Sequence, residues 1–583
     1  MYSNLSRAGE DDAYINVRVW DTEHNPLYFP ERDDPALKLS RMNGSGPTFG
    51  IAFSGGGTRS AAAMLGQLKT LKALGWIEQA HYMSAVSGGS WALVPFVFLQ
   101  DEYCRQVSPL GCDDAFLGDY VPPEAIDDFS LRAKSKFGLA RDLYQSSLVL
   151  RYFKRLLIRG DETFSSAIGR NFLDRFGLNE QRWFTHREAI DEVVKSSGRL
   201  RDEFYTTAPG RPFLIVSATL LARRKSTAWY DKFLLEITPL YAGIRARHDA
   251  VLDDLGHPRV IGGGYVEVFG YDSVPLCAIK AEACTVLEHG GLVRVKVGMK
   301  RYRFTLRDVV GVSGAAPAEV TASHGYDTFG LPEFKYWPVN TENKVTDYIE
   351  FRHGDGGHID NTGLLPLLIR QVDNILVFKN SKRAFCTEAM KIEGVERCSA
   401  GQPTHEIHDD QLKRFFLERT DQDALTDQFA IFDYDLLEQM QHEFRDRKLA
   451  CEQDYRSPSC KPLVFCAKHT VSDNRRYGVS ATKNGKPYMP NICWVYLDRD
   501  GAWIGTIRDQ SKLHGSADGS VVDLLRGNGA FIRFPHYRTF LENTKPIPRS
   551  IRLKRVQVNA IRYLTAWTLQ QSAAEISAAL EIQ

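Results

Sequence analysis

Apolar residues near the amino terminus come in short blocks, and each block ends at a glycine-rich turn. Phe49-Gly50-Ile51-Ala52-Phe53 has the length and composition of a strand covered on both faces. After Ser54-Gly55-Gly56-Gly57-Thr58-Arg59, the residues Ala61, Met64, Leu65, Leu68, Leu71 and Leu74 recur at helical spacing. Gly75 then suits the position just past a helix end. His81-Tyr82-Met83-Ser84-Ala85-Val86 reads as a second strand and Ser87-Gly88-Gly89-Ser90 as a second turn. Trp91 to Leu99 is an almost wholly apolar helix, a pattern that belongs in an interior. Strand, turn, helix, strand, turn, helix predicts a layered α/β fold.

Before this block, residues 1–45 read as an irregular lead-in, punctuated by Asn25-Pro26, Pro30 and Asp34-Pro35. Residues 100–210 are mostly polar with helical patches, the pattern of an insertion over a core. Strand-like runs resume at Phe213–Ser217, Phe233–Ile237 and Asp373–Phe378, and the core is expected over 46–380. The remainder, 381–583, begins with a charged helical stretch to about 460 and continues with strands at Pro462–Cys466 and Ile492–Leu497. Asp498-Arg499-Asp500-Gly501 reads as a hairpin turn leading to Ala502-Trp503-Ile504-Gly505; the other ligand positions of a calcium loop are absent. A helix from about Asn559 to Leu580 closes the chain, and no internal repeat is visible.

Composition narrows the classes. The 583 residues carry 73 basic and 72 acidic side chains, so no global field favours nucleic acid or an anionic membrane. No uninterrupted apolar run reaches the ~18–20 residues of a spanning helix. Met1-Tyr2-Ser3-Asn4-Leu5-Ser6-Arg7 lacks the charged-then-apolar form of a signal peptide. The expectation is a soluble or peripheral membrane protein, cytoplasmic or exported by a route without a cleaved signal. None of the ten cysteines forms a C-x-x-C pair or has zinc-ligand spacing, so no metal is expected. Reduced thiols are the favoured reading; the alternative is local disulfides among Cys104 with Cys112, Cys386 with Cys398, and Cys451 with Cys460 and Cys466.

The two glycine turns carry the chemistry. A serine hydroxyl becomes a useful nucleophile when a base takes its proton and a sharp turn presents its Oγ. Small residues two before and two after allow a strand-to-helix elbow to close; around Ser87 these are Ala85 and Gly89. A helix-capping serine fits the same turn. Gly55, Gly56 and Gly57 let backbone N–H groups converge where an oxyanion would develop, or simply make a tight turn. Arg59 adds a planar cation suited to a phosphate or carboxylate. The nucleotide phosphate-loop spacings are not met. Further on, Gly354-Asp355-Gly356-Gly357 offers Asp355 as a base, or as a plain turn residue. His353 and His358 flank it, but sequence neighbours of an aspartate are poorly placed to relay its charge to a distant serine, and both read as loop or solvent residues.

Ser-Gly-Gly-Gly-x-Arg, then x-x-Ser-Gly-Gly-Ser-Trp, then Asp-Gly-Gly resembles the patatin and cytosolic phospholipase A2 superfamily, with the Ser87–Trp91 form similar to its lysophospholipase/phospholipase B branch. The resemblance covers roughly 47–100 and 350–380, and more loosely Phe233–Pro239 and Gly314-Ala315-Ala316-Pro317; 385–583 match nothing residue by residue. It implies a layered α/β/α sheet of that type with helical lid-like insertions. It also implies a lipid acyl hydrolase acting on phospholipids or lysophospholipids at a membrane surface, without cofactor or nucleic-acid partner. In the residues of this chain, Ser87 would be the nucleophile, Asp355 the base, Gly56 and Gly57 the oxyanion donors, and Arg59 the phosphate ligand. Two departures stand out: Ala85 replaces a glycine of the elbow, and no calcium-binding C2 module is recognisable. The first leaves open a non-catalytic lipid-binding or interaction protein of the same fold. Residues 141–159 set apolar side chains among Arg141, Arg151, Lys154, Arg155 and Arg159. That spacing suits either an interfacial helix or a helix with one solvated face.

Overall fold

The computed structural model describes residues 14–583 apart from 25–26, 104–110, 146–162, 224–229, 254–255, 277–283, 286–290, 299–302, 317–330, 340–343, 346–347, 388–403, 417–428, 511–518 and 539–551. Its centre is a run of five parallel strands in the order β4 (Phe213–Arg223), β3 (Tyr82–Val86), β2 (Phe49–Phe53), β10 (Asn374–Lys379) and β12 (Asn491–Tyr496). All of the β2, β3 and β10 residues are buried, as expected for strands covered on both faces. One edge ends in the antiparallel β11 (Val464–Lys468). Beyond β4 the sheet continues antiparallel through β5 (Tyr230–Ile237), β6 (Tyr241–Ile244), β7 (Gly264–Glu267), β1 (Tyr14–Asp21) and β8 (Gly291–Lys296). A further strand, β9 (Ile349–Asp355), pairs antiparallel with β4. The fold is therefore mixed α/β around one mixed sheet.

Of the expected lead-in over 1–45, residues 1–13 and 25–26 lie outside the described residues, and the described part is not irregular. Ile15, Val17 and Val19 alternate along β1 and are buried, and Trp20 behind them donates its indole N–H to Asp34 at 2.7 Å. This period-two signal outweighs the proline and asparagine punctuation further along. The same segment supplies Glu31, which with Glu236 brackets the Arg370 guanidinium at 3.0 and 2.6 Å in a site closed to solvent. The described residues of the expected insertion are largely helical, with segments at Phe164–Phe172 and Ile190–Ser197, although Trp183–Thr185 and Phe204–Thr206 pair as a small parallel ladder. Of the 141–159 helix, residues 146–159 lie outside the described residues; Leu143 at its start is buried.

Four helices place the site. α1 (Gly57–Ala73) follows β2 and α2 (Ser90–Phe98) follows β3, while α3 (Leu306–Ser313) packs beside the second turn. Gly75 sits at φ +70 just past α1, as its position predicts. The closing helix, α6 (Arg555–Leu580), begins four residues before the expected start and lies along α1. Thr565 Oγ1 donates to the Ala63 carbonyl at 2.8 Å and Thr70 Oγ1 to the Ala566 carbonyl at 3.1 Å. Gly66 lets the two backbones meet, since a Cβ there would run into the Arg562 carbonyl.

Asp498–Gly501 does not turn a hairpin. Asp500 Oδ1 accepts from the Trp503 N–H at 2.9 Å, capping α5 (Gly501–Gln510), the helix that follows α4 (Tyr434–Gln453) in the chain, so an Asp-Gly pair is used as a helix start. The favoured thiol reading also gives way: no described cysteine is free. Cys451 is bonded to Cys460, and Cys466 on β11 to Cys493 on β12; Cys112 and Cys386 are also in disulfides.

Candidate functional site

The strand register brings the three sequence motifs to one end of the sheet. Phe53 pairs with Ala85 on one side and Phe378 on the other, Val86 with Ser217, and Asp355 with Ala218. The residues that follow β2, β3 and β10 therefore emerge together at the carboxyl ends of parallel strands, the usual place for a site in an open α/β sheet.

Ser87 follows β3 directly and holds φ +52, a value that is uncommon outside glycine. Its N–H donates to Ser313 Oγ at 2.9 Å, whose hydroxyl donates to the Ser217 carbonyl at 2.9 Å, so α3 and β4 fix the elbow. Ala85 is fully buried within β3, and the turn closes with alanine in place of glycine. Ser87 Oγ donates to Asp355 Oδ2 at 2.7 Å. The other oxygen, Oδ1, accepts from the Gly357 N–H at 2.7 Å, and Thr219 Oγ1 holds the Asp355 carbonyl at 2.9 Å. Burial raises the Asp355 pKa above the usual carboxylate value; His358 and the bonds from Ser87 and Gly357 oppose that rise.

The glycine turn lies against this pair. Gly56 and Gly57 have φ +140 and +59, and both line the cleft with Ser87 and Asp355. Gly57 is the first residue of α1, where an N–H has no intrahelical acceptor. Gly88 touches Gly57 so closely that a Cβ would overlap its carbonyl. Asn380, just past β10, holds the turn from behind: its N–H donates to Ser54 Oγ at 2.7 Å and its side-chain amide to Ser60 Oγ at 3.0 Å. Arg59 is buried, with Nε donating to the Asn380 carbonyl at 3.1 Å and a terminal nitrogen to the Tyr537 carbonyl. Desolvation lowers its pKa to about 10, so it remains a cation at neutral pH.

The two histidines part company. His353 is neither loop nor solvent: it is fully buried, with Nδ1 against the Phe351 carbonyl at 2.8 Å and Nε2 against the Tyr271 hydroxyl at 2.7 Å. Desolvation lowers its pKa to about 4, so it stays neutral, and both ring nitrogens are engaged by groups other than Ser87 and Asp355. His358 is half-buried on the cleft wall. The cleft holds about 490 Å³ and is further lined by Asn361, Lys379, Ser381, Lys382, Arg383 and Arg538, which no motif announced. For Ser381, Lys382 and Arg383 the sequence signal is that residues 380–383 directly follow a buried parallel strand, of which Lys379 is the last residue. Among the described residues, no group of three or more His, Cys, Asp or Glu side chains is placed to hold a metal.

A serine on a sharp turn, a buried carboxylate bonded to its hydroxyl, and a helix start beside both can accept a proton and stabilise an anion within one cleft. No protein-family model matches the chain. Over 102 residues it is 30% identical to cytosolic phospholipase A2 zeta of Mus musculus, a stretch amounting to 16% of this chain and 12% of that protein. Among solved structures, human GIVD cytosolic phospholipase A2 superposes with a TM-score of 0.41 and 14% identity over 94% of this chain and 62% of that one. Its complex with methyl gamma-linolenyl fluorophosphonate and terbium chloride gives 0.37 and 15% over 92% and 59%. The chain thus spans less than two-thirds of the length of these relatives. The local sequence match, with the three motifs now assembled in one cleft, supports a relationship to the patatin and cytosolic phospholipase A2 superfamily.

Proposed function

We propose that this protein is a lipid acyl hydrolase that cleaves fatty-acyl esters of phospholipids or lysophospholipids through a serine–aspartate dyad. The observation that carries the reading is the 2.7 Å bond from Ser87 Oγ to Asp355 Oδ2, made without a histidine between them. A buried carboxylate with a raised pKa is a stronger base than a solvated one, which suits it to receive a serine proton. As Asp355 takes that proton, Ser87 Oγ forms a bond to the ester carbonyl carbon, and the Gly56 and Gly57 N–H groups hold the resulting oxyanion. Collapse breaks the ester C–O bond, and the leaving alkoxide takes the proton from Asp355. Water then gives a proton to Asp355 and attacks the acyl-serine, and the proton returns to Ser87 as fatty acid leaves. Arg59 supplies fixed positive charge towards the substrate phosphate while anchoring the loops at Asn380 and Tyr537. No described helix is long and apolar enough to cross a membrane.

The test is release of fatty acid from phosphatidylcholine vesicles by the wild-type chain and by Ser87→Ala. Wild-type release that Ser87→Ala abolishes supports the assignment; equal release by both sinks it. Arg59→Ala should lose more turnover on phospholipid than on an uncharged short ester, and equal losses would remove the phosphate role.

A further inference from the structure

The cleft beside Ser87 is strongly cationic on one wall. Among the described residues that line it, six are basic (Arg59, Lys379, Lys382, Arg383, Arg414 and Arg538) and three are acidic (Asp355, Asp409 and Asp410). Among the described lining residues the acids offset only part of that charge, since Asp409 pairs with Lys379 and also acts on Arg59 and Lys382. Asp355 lies on the floor, bonded to Ser87, and Asp409 is committed to Lys379 at 3.0 Å, to Ser381 Oγ at 2.6 Å and to the Leu412 N–H at 3.2 Å. Lys382 lines the same cleft as Arg59, Arg383 and Arg538; its pKa is lowered first by desolvation and then by these guanidinium groups, with Asp409 opposing them. Like charges gathered in a concave wall repel one another, and an anion entering the cleft relieves that repulsion.

The wall is also held in shape. Arg59 ties the Asn380 carbonyl to the Tyr537 carbonyl, which sets the 379–383 loop beside Arg538. His536 braces the same loop, with Nδ1 3.0 Å from the Ser381 carbonyl and Nε2 3.0 Å from Asp498 Oδ1. We infer that Lys382, Arg383 and Arg538 form a headgroup subsite for a lipid bearing a phosphomonoester, in preference to a zwitterionic diester. This rests on the acyl-hydrolase reading for its place in turnover, but the binding it requires is independent of the chemistry at Ser87.

Short-chain lipids below their aggregation concentration separate the subsite from any attraction to a membrane surface. Dihexanoyl phosphatidate and dihexanoyl phosphatidylcholine should be compared on the wild type and on the Lys382→Gln/Arg538→Gln double variant. The wild type is expected to favour the phosphatidate by about tenfold or more in kcat/KM, and the double variant to bring the two towards parity, as for loss of charge-assisted bonds. Equal turnover of both lipids by the wild type, or a preference that survives in the double variant, overturns the inference. A second arm titrates Ser87→Ala, which keeps the wall, with dihexanoyl phosphatidate and with inorganic phosphate. Tighter binding of the lipid supports a headgroup subsite; equal affinity overturns it in favour of free phosphate. If neither lipid is hydrolysed but Ser87→Ala still prefers phosphatidate over phosphatidylcholine, the acyl-hydrolase reading fails and the subsite stands.

Discussion

Replacing Gly88 by alanine tests whether the serine elbow and the glycine turn must touch. A Cβ built there overlaps the Gly57 carbonyl oxygen and lies 2.5 Å from both Gly57 Cα and its carbonyl carbon, whereas ordinary contact begins near 3.4 Å. Both partners are main chain, so no side-chain rotation relieves the overlap. The turn and the elbow would have to part by about 1 Å, a displacement that costs on the order of 10²-fold when it separates reacting groups. Overpacking of this kind also destabilises by ~1–3 kcal/mol, which a chain of this size can survive. The assay is kcat/KM for p-nitrophenyl butyrate, with the thermal midpoint measured alongside. Gly44→Ala serves as the control, because a Cβ at Gly44 meets nothing within 4 Å. Gly88→Ala should stay folded and lose about two decades of activity, while Gly44→Ala should match the wild type. A folded Gly88→Ala protein with wild-type kcat/KM would refute the claim that Ser87 and Gly57 act on one oxyanion.

Other consequences follow from burial and close approach. The raised pKa of Asp355 means that the folded state binds more proton than the unfolded one from pH 3.8 up to the folded value, so stability falls as pH rises through that window. Asp355→Asn should therefore abolish hydrolysis yet raise the thermal midpoint at pH 7, with the advantage gone below pH 3.8; a lower midpoint at pH 7 would contradict the desolvation argument. Gly66→Val should force α6 away from α1 and lower urea stability by ~1–3 kcal/mol or more, because the obstructing Arg562 carbonyl and Ala566 N–H are main chain; an unchanged midpoint would show that the closing helix does not bear on α1. Cys451→Ser/Cys460→Ser should cost ~2–4 kcal/mol. Alkylation of the unreduced wild type should leave Cys451, Cys460, Cys466 and Cys493 unlabelled, and their labelling would restore the thiol reading.

The central strands and both turns were legible because each signal is local. An all-apolar run of five residues, a glycine where φ is positive and a helical repeat of leucines each state their conformation within one element. Ser87 and Asp355 were legible as candidates for the same reason, although 268 positions separate them and the β3–β4 and β4–β9 registers together bring them into contact. What escaped was either weak or non-local. The β1 alternation is short and stands before a run of turn residues, and Asp500 could open a hairpin or cap a helix until Trp503 is seen to donate to it. The cationic wall gathers Arg59, Lys382 and Arg538 from three distant parts of the chain, so no spacing could reveal it. His353 misled for the opposite reason. Its sequence neighbours suggest a loop, whereas β9 turns it into the core to meet Tyr271.

Ester hydrolysis in this cleft depends on Ser87 as the activated nucleophile. The most direct test is covalent labelling by an alkyl fluorophosphonate, followed by mass mapping of the modified peptide. The wild type should take up one equivalent on Ser87, Ser87→Ala none, and Asp355→Asn should react far more slowly. Labelling that persists in Ser87→Ala, or that maps to another residue, would contradict it.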